Sequence, residues 1–101
     1  MKIRDVDRVC IVDIAGKTVS QSDLIELKRL FKKEASKRRI GINLEKVLNI
    51  EHEFLNFLQE SSFKQKLSLF NANNEVYLLL FVSKTDRYVN IYLCLLYTSD
   101  A

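Results

Sequence analysis

A chain of 101 residues, 48% hydrophobic and 29% charged, carries enough apolar surface for one core and one domain, which excludes a disordered chain. Two glycines and no proline exclude collagen-like repeats, proline-rich linkers and glycine-rich phosphate loops. The 16 basic and 13 acidic residues leave a net charge of +3, an excess that aids solubility without marking a nucleic-acid binder.

In chain order, the opening Met1-Lys2-Ile3-Arg4-Asp5 has no apolar segment of the kind a signal peptide needs. Residues 9–14 are rich in β-branched side chains and are expected to form a strand that Gly16 ends. Ile3 and Val6 supply a short strand to pair with it. Residues 20–36 have the pattern of a helix. Ser20 and Asp23 have capping-box spacing, with Asp in place of the usual Glu. Leu24, Leu27, Leu30 and Phe31 recur at spacings of three and four and define an apolar face, which Ile25 widens. Residues 39–44 alternate, with Ile40, Ile42 and Leu44 on one side, and are expected to form a strand. A second helix carries Phe54, Leu55, Phe57 and Leu58. Residues 66–72 make a third strand. Asn73 and Asn74 are helix-start residues. The seven-residue apolar run 76–82 fits a buried helix or a strand, and the Asn caps before it and Lys84 after it favour a helix. It is far short of the roughly 20 apolar residues of a membrane span. Residues 89–93 make a last strand.

Strands and helices therefore alternate, which implies an α/β domain with right-handed parallel crossovers. In such sheets function gathers at the carboxyl ends of the strands, where loops enter helix N-termini. The loop from Leu44 to Phe54 is the candidate. It holds Glu51, His52 and Glu53, and His52 is the one histidine of the chain. Adjacent residues at a helix start diverge, so these three do not make a metal motif. Two cysteines, Cys10 and Cys94, make neither a disulfide framework nor a four-ligand metal site. No metal and no cofactor are expected, and a reducing cytoplasm is the expected compartment.

This layout resembles a STAS domain, the family of bacterial anti-sigma-factor antagonists and of sulfate-transporter cytoplasmic domains. Residues 9–16 are similar to the family's first strand and its following Gly, residues 39–44 to the central strand and residues 66–71 to the next. Residues 75–86 resemble the helix before the final strand, here Asn90-Ile91-Tyr92. The resemblance covers nearly the whole chain up to Leu93. It implies a single STAS-like domain with a four- to five-stranded mixed sheet and helices mainly on one face. It also implies one more helix after Leu93. That helix is expected to be missing here, which would leave apolar surface uncovered.

The family opens its helix with an Asp-Ser-Ser-Gly-Leu-Gly-like motif. The second Ser is phosphorylated by a partner that is both kinase and anti-sigma factor. In this chain Glu51 takes the place of the Asp, His52 of the first Ser, Glu53 of the phosphorylated Ser, Phe54 of the first Gly and Asn56 of the second, while Leu55 matches. No hydroxyl remains at the acceptor position, so phosphorylation there does not carry over. The resemblance implies a non-enzymatic regulatory module that docks an anti-sigma factor or a serine-kinase-like regulator. The surface it implies comprises Gly16, Lys17 and Thr18 together with Glu51, His52, Glu53 and Asn56. Two roles stay open for Glu53. Its fixed charge of about −1 partly mimics phosphoserine at roughly −1.5 to −2, or it complements the helix dipole together with Glu51.

The octapeptide 94–101 resembles one reading frame of the end of a common transposase-based sequencing adapter, so the native domain is expected to span residues 1–93 and the rest to be a non-native tail. The alternative function is a small nucleic-acid-associated protein using the basic cluster Lys32, Lys33, Lys37, Arg38 and Arg39. Such binders add aromatic side chains to the patch, and here Phe31 belongs to the core face. Cys10, in a core strand, is expected to be inert packing. Ser61, Ser62 and Ser68 sit in no nucleophile signature beside a histidine, so no enzyme is expected.

Overall fold

The computed structural model describes residues 1–34, 38–61 and 67–92. Ser36, Lys37, Ser62, Lys66, Leu93 and the tail 94–101, all named above, lie outside them. Strands β1 (Lys2–Val6) and β2 (Val9–Asp13) form an antiparallel hairpin with Val6 opposite Val9. The connecting Asp7 and Arg8 have φ of 48° and 69°. Two consecutive positive φ values make a type I′ turn, whose twist suits a two-residue hairpin. Next come α1 (Gln21–Glu34), β3 (Arg39–Asn43), α2 (His52–Ser61), β4 (Leu67–Phe70) and α3 (Asn74–Val82). A 3-10 turn (Thr85–Arg87) and β5 (Asn90–Tyr92) complete the described chain.

The five strands lie in the order β1-β2-β3-β4-β5. β1 is antiparallel to β2, and β2 through β5 are parallel to one another, which makes the expected mixed sheet. Each parallel strand is laid down on the same side of its predecessor. Right-handed crossovers then deposit every helix on one face. Packing bears this out. Cys10, Val12, Ile40, Ile42, Leu67 and Leu69 alternate onto one side of the sheet. They share a core with Leu24 and Leu27 of α1, Phe54, Phe57 and Leu58 of α2, and Val76 and Leu80 of α3.

Local chemistry sets the helix starts. The Ser20 hydroxyl accepts from the Asp23 N–H, and the Asp23 carboxylate accepts from the Ser20 N–H, both at 3.1 Å. That is a reciprocal capping box with Asp in the Glu position. The Asn73 side chain accepts the Val76 N–H at 2.8 Å, so the ambiguous run 76–82 is a helix. β2, β3 and β4 are one or two residues shorter than expected at their carboxyl ends, where the chain turns away into loops. Ile25 is a correction. It is 58% exposed and does not widen the core face of α1, because it lies about 100° round the helix from buried Leu24.

The opposite face of the sheet has its own small apolar cluster. Ile11 and Phe70 are each 1% exposed. The Phe70 ring stacks on Tyr92 at 5.3 Å between centroids and 15° between planes. Gly41 lies beneath them. A Cβ there would approach Ile11 Cδ1 to 2.8 Å and the Phe70 ring more closely still. Among the described residues no helix is long and apolar enough to cross a membrane.

Candidate functional site

The α2 start is built by anchoring one side of a turn and exposing the other. The Glu51 carbonyl accepts the N–H groups of Phe54 at 3.1 Å and Leu55 at 3.2 Å, so His52 opens the first turn and Glu53 follows it. Phe54 is fully buried and its ring lies 6.4 Å from Phe57, with Phe31 of α1 edge-on to Phe57 at 6.3 Å. With Phe54 as the pin, Glu51, His52, Glu53 and Asn56 are left exposed. The unpaired amides and the dipole of a helix start favour an anion there, and Glu53 supplies one. Glu53 also lines a cavity of about 250 Å³ between α1 and α2 with Gln21, Leu24, Ile25 and Lys28.

The segment of Gly16, Lys17 and Thr18 lies against the loop that leads to α2. The Lys17 carbonyl accepts the N–H groups of Leu48 at 2.7 Å and Asn49 at 3.4 Å. On the other side of that loop, the Asn73 amide donates to the Val47 carbonyl at 3.1 Å. Gly16 and Lys17 are exposed and Thr18 is half-buried. Residues 16–18 are therefore tied by backbone hydrogen bonds to the loop that leads into α2.

A second polar cluster escaped the sequence reading. It joins the carboxyl ends of β2, β3 and β4. Arg4 donates from Nε and Nη2 to the two Asp13 oxygens at 2.6 and 3.1 Å. The Asn43 amide donates to Asp13 Oδ1 at 2.7 Å, and Asn71 donates to Asn43 Oδ1 at 2.8 Å. The same Asn43 oxygen accepts the Glu45 N–H at 3.1 Å, so the network reaches the loop before α2. The Arg4 hydrogen bond holds the Asp13 carboxyl below the usual carboxylate range, with help from Asn43 and against the opposing effect of burial. A cavity of about 500 Å³ opens beside Arg4, Asp13, Asn43, Glu45 and Lys46. The signal was in the sequence: Asp13 and Asn43 each end a strand, and Asn71 follows the next.

The remaining candidates fall in ordinary surroundings. Of the basic cluster, Arg38 is tied to Asp5 and, at 3.3 Å, to Glu34, while Lys32, Lys33 and Arg39 are exposed. Burial pushes the Cys10 thiol up, away from the reactive thiolate. Among the described residues no group of three or more His, Cys, Asp or Glu side chains could hold a metal ion.

Neither a protein-family model nor a curated protein matches the sequence. Solved structures do match. The solution structure of the protein TM1081 superposes with a TM-score of 0.77 at 20% identity, covering 97% of this chain and 84% of that one. The crystal structure of TM1081 from Thermotoga maritima, described as a candidate anti-sigma factor antagonist, gives 0.70 at 22% identity over 98% of this chain and 91% of that one. The chain has a STAS-like fold. At these identities it is the fold that is shared. Within the STAS-like frame, the start of α2 keeps its apolar anchor at Phe54 and carries no hydroxyl among Glu51, His52 and Glu53.

Proposed function

We propose that this domain is a non-enzymatic bacterial regulatory module, working in the cytoplasm, that docks a protein partner. The docking surface comprises Gly16, Lys17 and Thr18 with Glu51, His52, Glu53 and Asn56. The observation that supports this reading is the pair of hydrogen bonds from Leu48 and Asn49 to the Lys17 carbonyl, because they tie residues 16–18 to the loop that leads into the start of α2. The partner class is an anti-sigma factor or a serine-kinase-like regulator, in keeping with the likeness to an anti-sigma factor antagonist structure. Glu53 stands where that reading needs a phosphoacceptor and has no hydroxyl. Its fixed charge holds the surface in one signalling state instead of two.

The test is affinity purification from source cells with wild type, Glu53→Lys and Glu53→Gln, all checked for equal thermal melting. One protein retained by wild type should fall about tenfold with Glu53→Lys. A similar fall with Glu53→Gln assigns the effect to the fixed charge, whereas retention by Glu53→Gln reduces Glu53 to a helix-start carboxylate. Equal retention by all three overturns the docking surface. Retention of nucleic acid with a steep salt dependence would transfer the function to the basic cluster.

A further inference from the structure

The cavity of about 500 Å³ at the carboxyl ends of β2 and β3 is lined by none of the residues proposed above for docking. Lys2 and Arg4 of β1, Asp13, Asn43, and Glu45 and Lys46 of the following loop surround it. Its volume suits a small molecule. The sheet and the loop set this lining. Register puts Lys2 directly opposite Asp13, with Arg4 two residues on and therefore on the same side of the hairpin. The Glu45 N–H donates to Asn43 Oδ1 at 3.1 Å, and the Val47 N–H closes a turn on the Leu44 carbonyl at 3.0 Å. Those two bonds hold the backbone of Glu45 and Lys46 beside the cavity.

The Arg4 guanidinium selects the ligand. A guanidinium has two flat edges, each able to grip an oxyanion through a pair of parallel N–H bonds. One edge, Nε with Nη2, is taken by the two Asp13 oxygens at 2.6 and 3.1 Å. The other, Nη1 with the second Nη2 hydrogen, points away from Asp13 and has no partner among the described residues. The Asn43 amide donates to the same carboxylate at 2.7 Å, and Asn71 holds Asn43 at 2.8 Å, so the Asp13–Arg4 fork is braced before any ligand arrives. Charge narrows the choice. Arg4 and Asp13 cancel. Of the other lining charges, Lys2 and Lys46 are positive and Glu45 is negative, and none of them is in an ion pair among the described residues. The surplus positive charge matches a single carboxylate. A phosphate, at about −1.5 to −2, overshoots it beside Glu45.

We infer that this cavity is a site for a small carboxylic acid, held as its carboxylate across the free edge of Arg4 and flanked by Lys2 and Lys46. The Arg4 side chain is 38% exposed, so the contact is partly wet and dissociation constants in the millimolar range are expected. The test is NMR titration of the isotope-labelled full chain at neutral pH with sodium butyrate, against sodium chloride at matched ionic strength. Butyrate should give saturable shifts at the amides of Ala15, Glu45 and Lys46, and chloride should not. Lys2→Gln and Lys46→Gln should each weaken binding several-fold, and Glu45→Gln should strengthen it. Arg4→Lys keeps the charge and loses the fork, and should weaken binding about tenfold. Lys28→Gln, on the exposed side of α1, should change nothing. Inorganic phosphate should bind less tightly than butyrate. Thermal melts confirm that each variant is folded. No saturation up to roughly 50 mM, far above such a dissociation constant, would overturn the inference. So would shifts centred on Lys32 and Lys33, tighter binding of phosphate, or weaker binding by Glu45→Gln.

Discussion

On the helix-covered face of the sheet, Cys10, Val12, Ile40, Ile42, Leu67 and Leu69 meet side chains from three helices. On the opposite face, Ile11 and Phe70 are buried over Gly41, whose missing side chain leaves them room, and the Phe70 ring stacks on Tyr92. The first face is held by volume, contributed redundantly by many residues. The second is held by fit at a few positions and, at its edge, by the polar chain from Arg4 to Asn71. Redundant apolar burial tolerates change in proportion to the volume lost. Fit at a few positions fails in response to small changes, and polar fit responds to pH as well.

The sharpest break of the first kind is Phe54→Ala. The ring is fully buried at the point where α2 enters the core. Its loss should cost about 3–5 kcal/mol, read by denaturant unfolding, and should also disorder the exposed start of α2. On the second face the corresponding change is an addition. Gly41→Ala should cost about 1–3 kcal/mol through overpacking, even though alanine ordinarily suits a strand better than glycine. Adding Phe70→Leu should recover part of that loss, since the ring is what the new Cβ meets. Equal stability of Gly41→Ala and wild type would show that the second face yields as readily as the first.

How legible these regions were in the sequence follows the same division. The helix-covered face was readable because periodicity reports burial: Ile40 and Ile42 alternate, Leu24 and Leu27 recur at helical spacing, and all four are in the core. The capping box at Ser20 and the Asn73 cap were readable because caps are local. Ile25 misled because an apolar residue one step from a core position carries no sign of its exposure. The site was half legible. A helix start with three polar residues marks itself, but the Lys17–Leu48 and Lys17–Asn49 bonds join backbone atoms far apart in sequence, and no side-chain pattern records them. Asp13, Asn43 and Asn71 fall inside the strands expected at 9–14, 39–44 and 66–72, and only the parallel sheet brings them side by side at the strand ends.

The polar edge gives a smaller effect with a distinctive pH dependence. Asp13→Ala removes the acceptor of Arg4 and Asn43 and should cost about 1–2 kcal/mol at neutral pH, less than a buried pair because both side chains are partly exposed. The Asp13 carboxyl is held below its unfolded value. Folding therefore favours the ionised form, and the stabilisation is complete above the unfolded pKa of about 3.9. It is lost as pH falls through the lower folded value. The stability gap between wild type and Asp13→Ala should be constant from neutral pH down to about 5 and close progressively in stronger acid. A gap that persists undiminished at the lowest pH would mean that Asp13 contributes shape and not charge.

The smallest expected effect concerns the turn that keeps this polar edge in register. Arg8 sits at φ 69°, a left-handed conformation that costs an ordinary L-residue about 1–2 kcal/mol. Glycine removes that cost but loses more chain entropy on folding. Arg8→Gly should therefore stabilise by about 0.5–1 kcal/mol, and Asp7→Gly by less, since Asp tolerates the left-handed region better. The tight turn sets Arg4 opposite Ile11 and on the same face as Asp13. A one-residue slip would carry Arg4 to the helix-covered side and abolish the pair. If Arg8→Gly leaves the register intact, it should raise the melting temperature without altering the acid-dependent gap that Asp13 produces. A variant that gained stability but lost that pH dependence would show that the strained turn, and not the strand pairing, holds Arg4 in place.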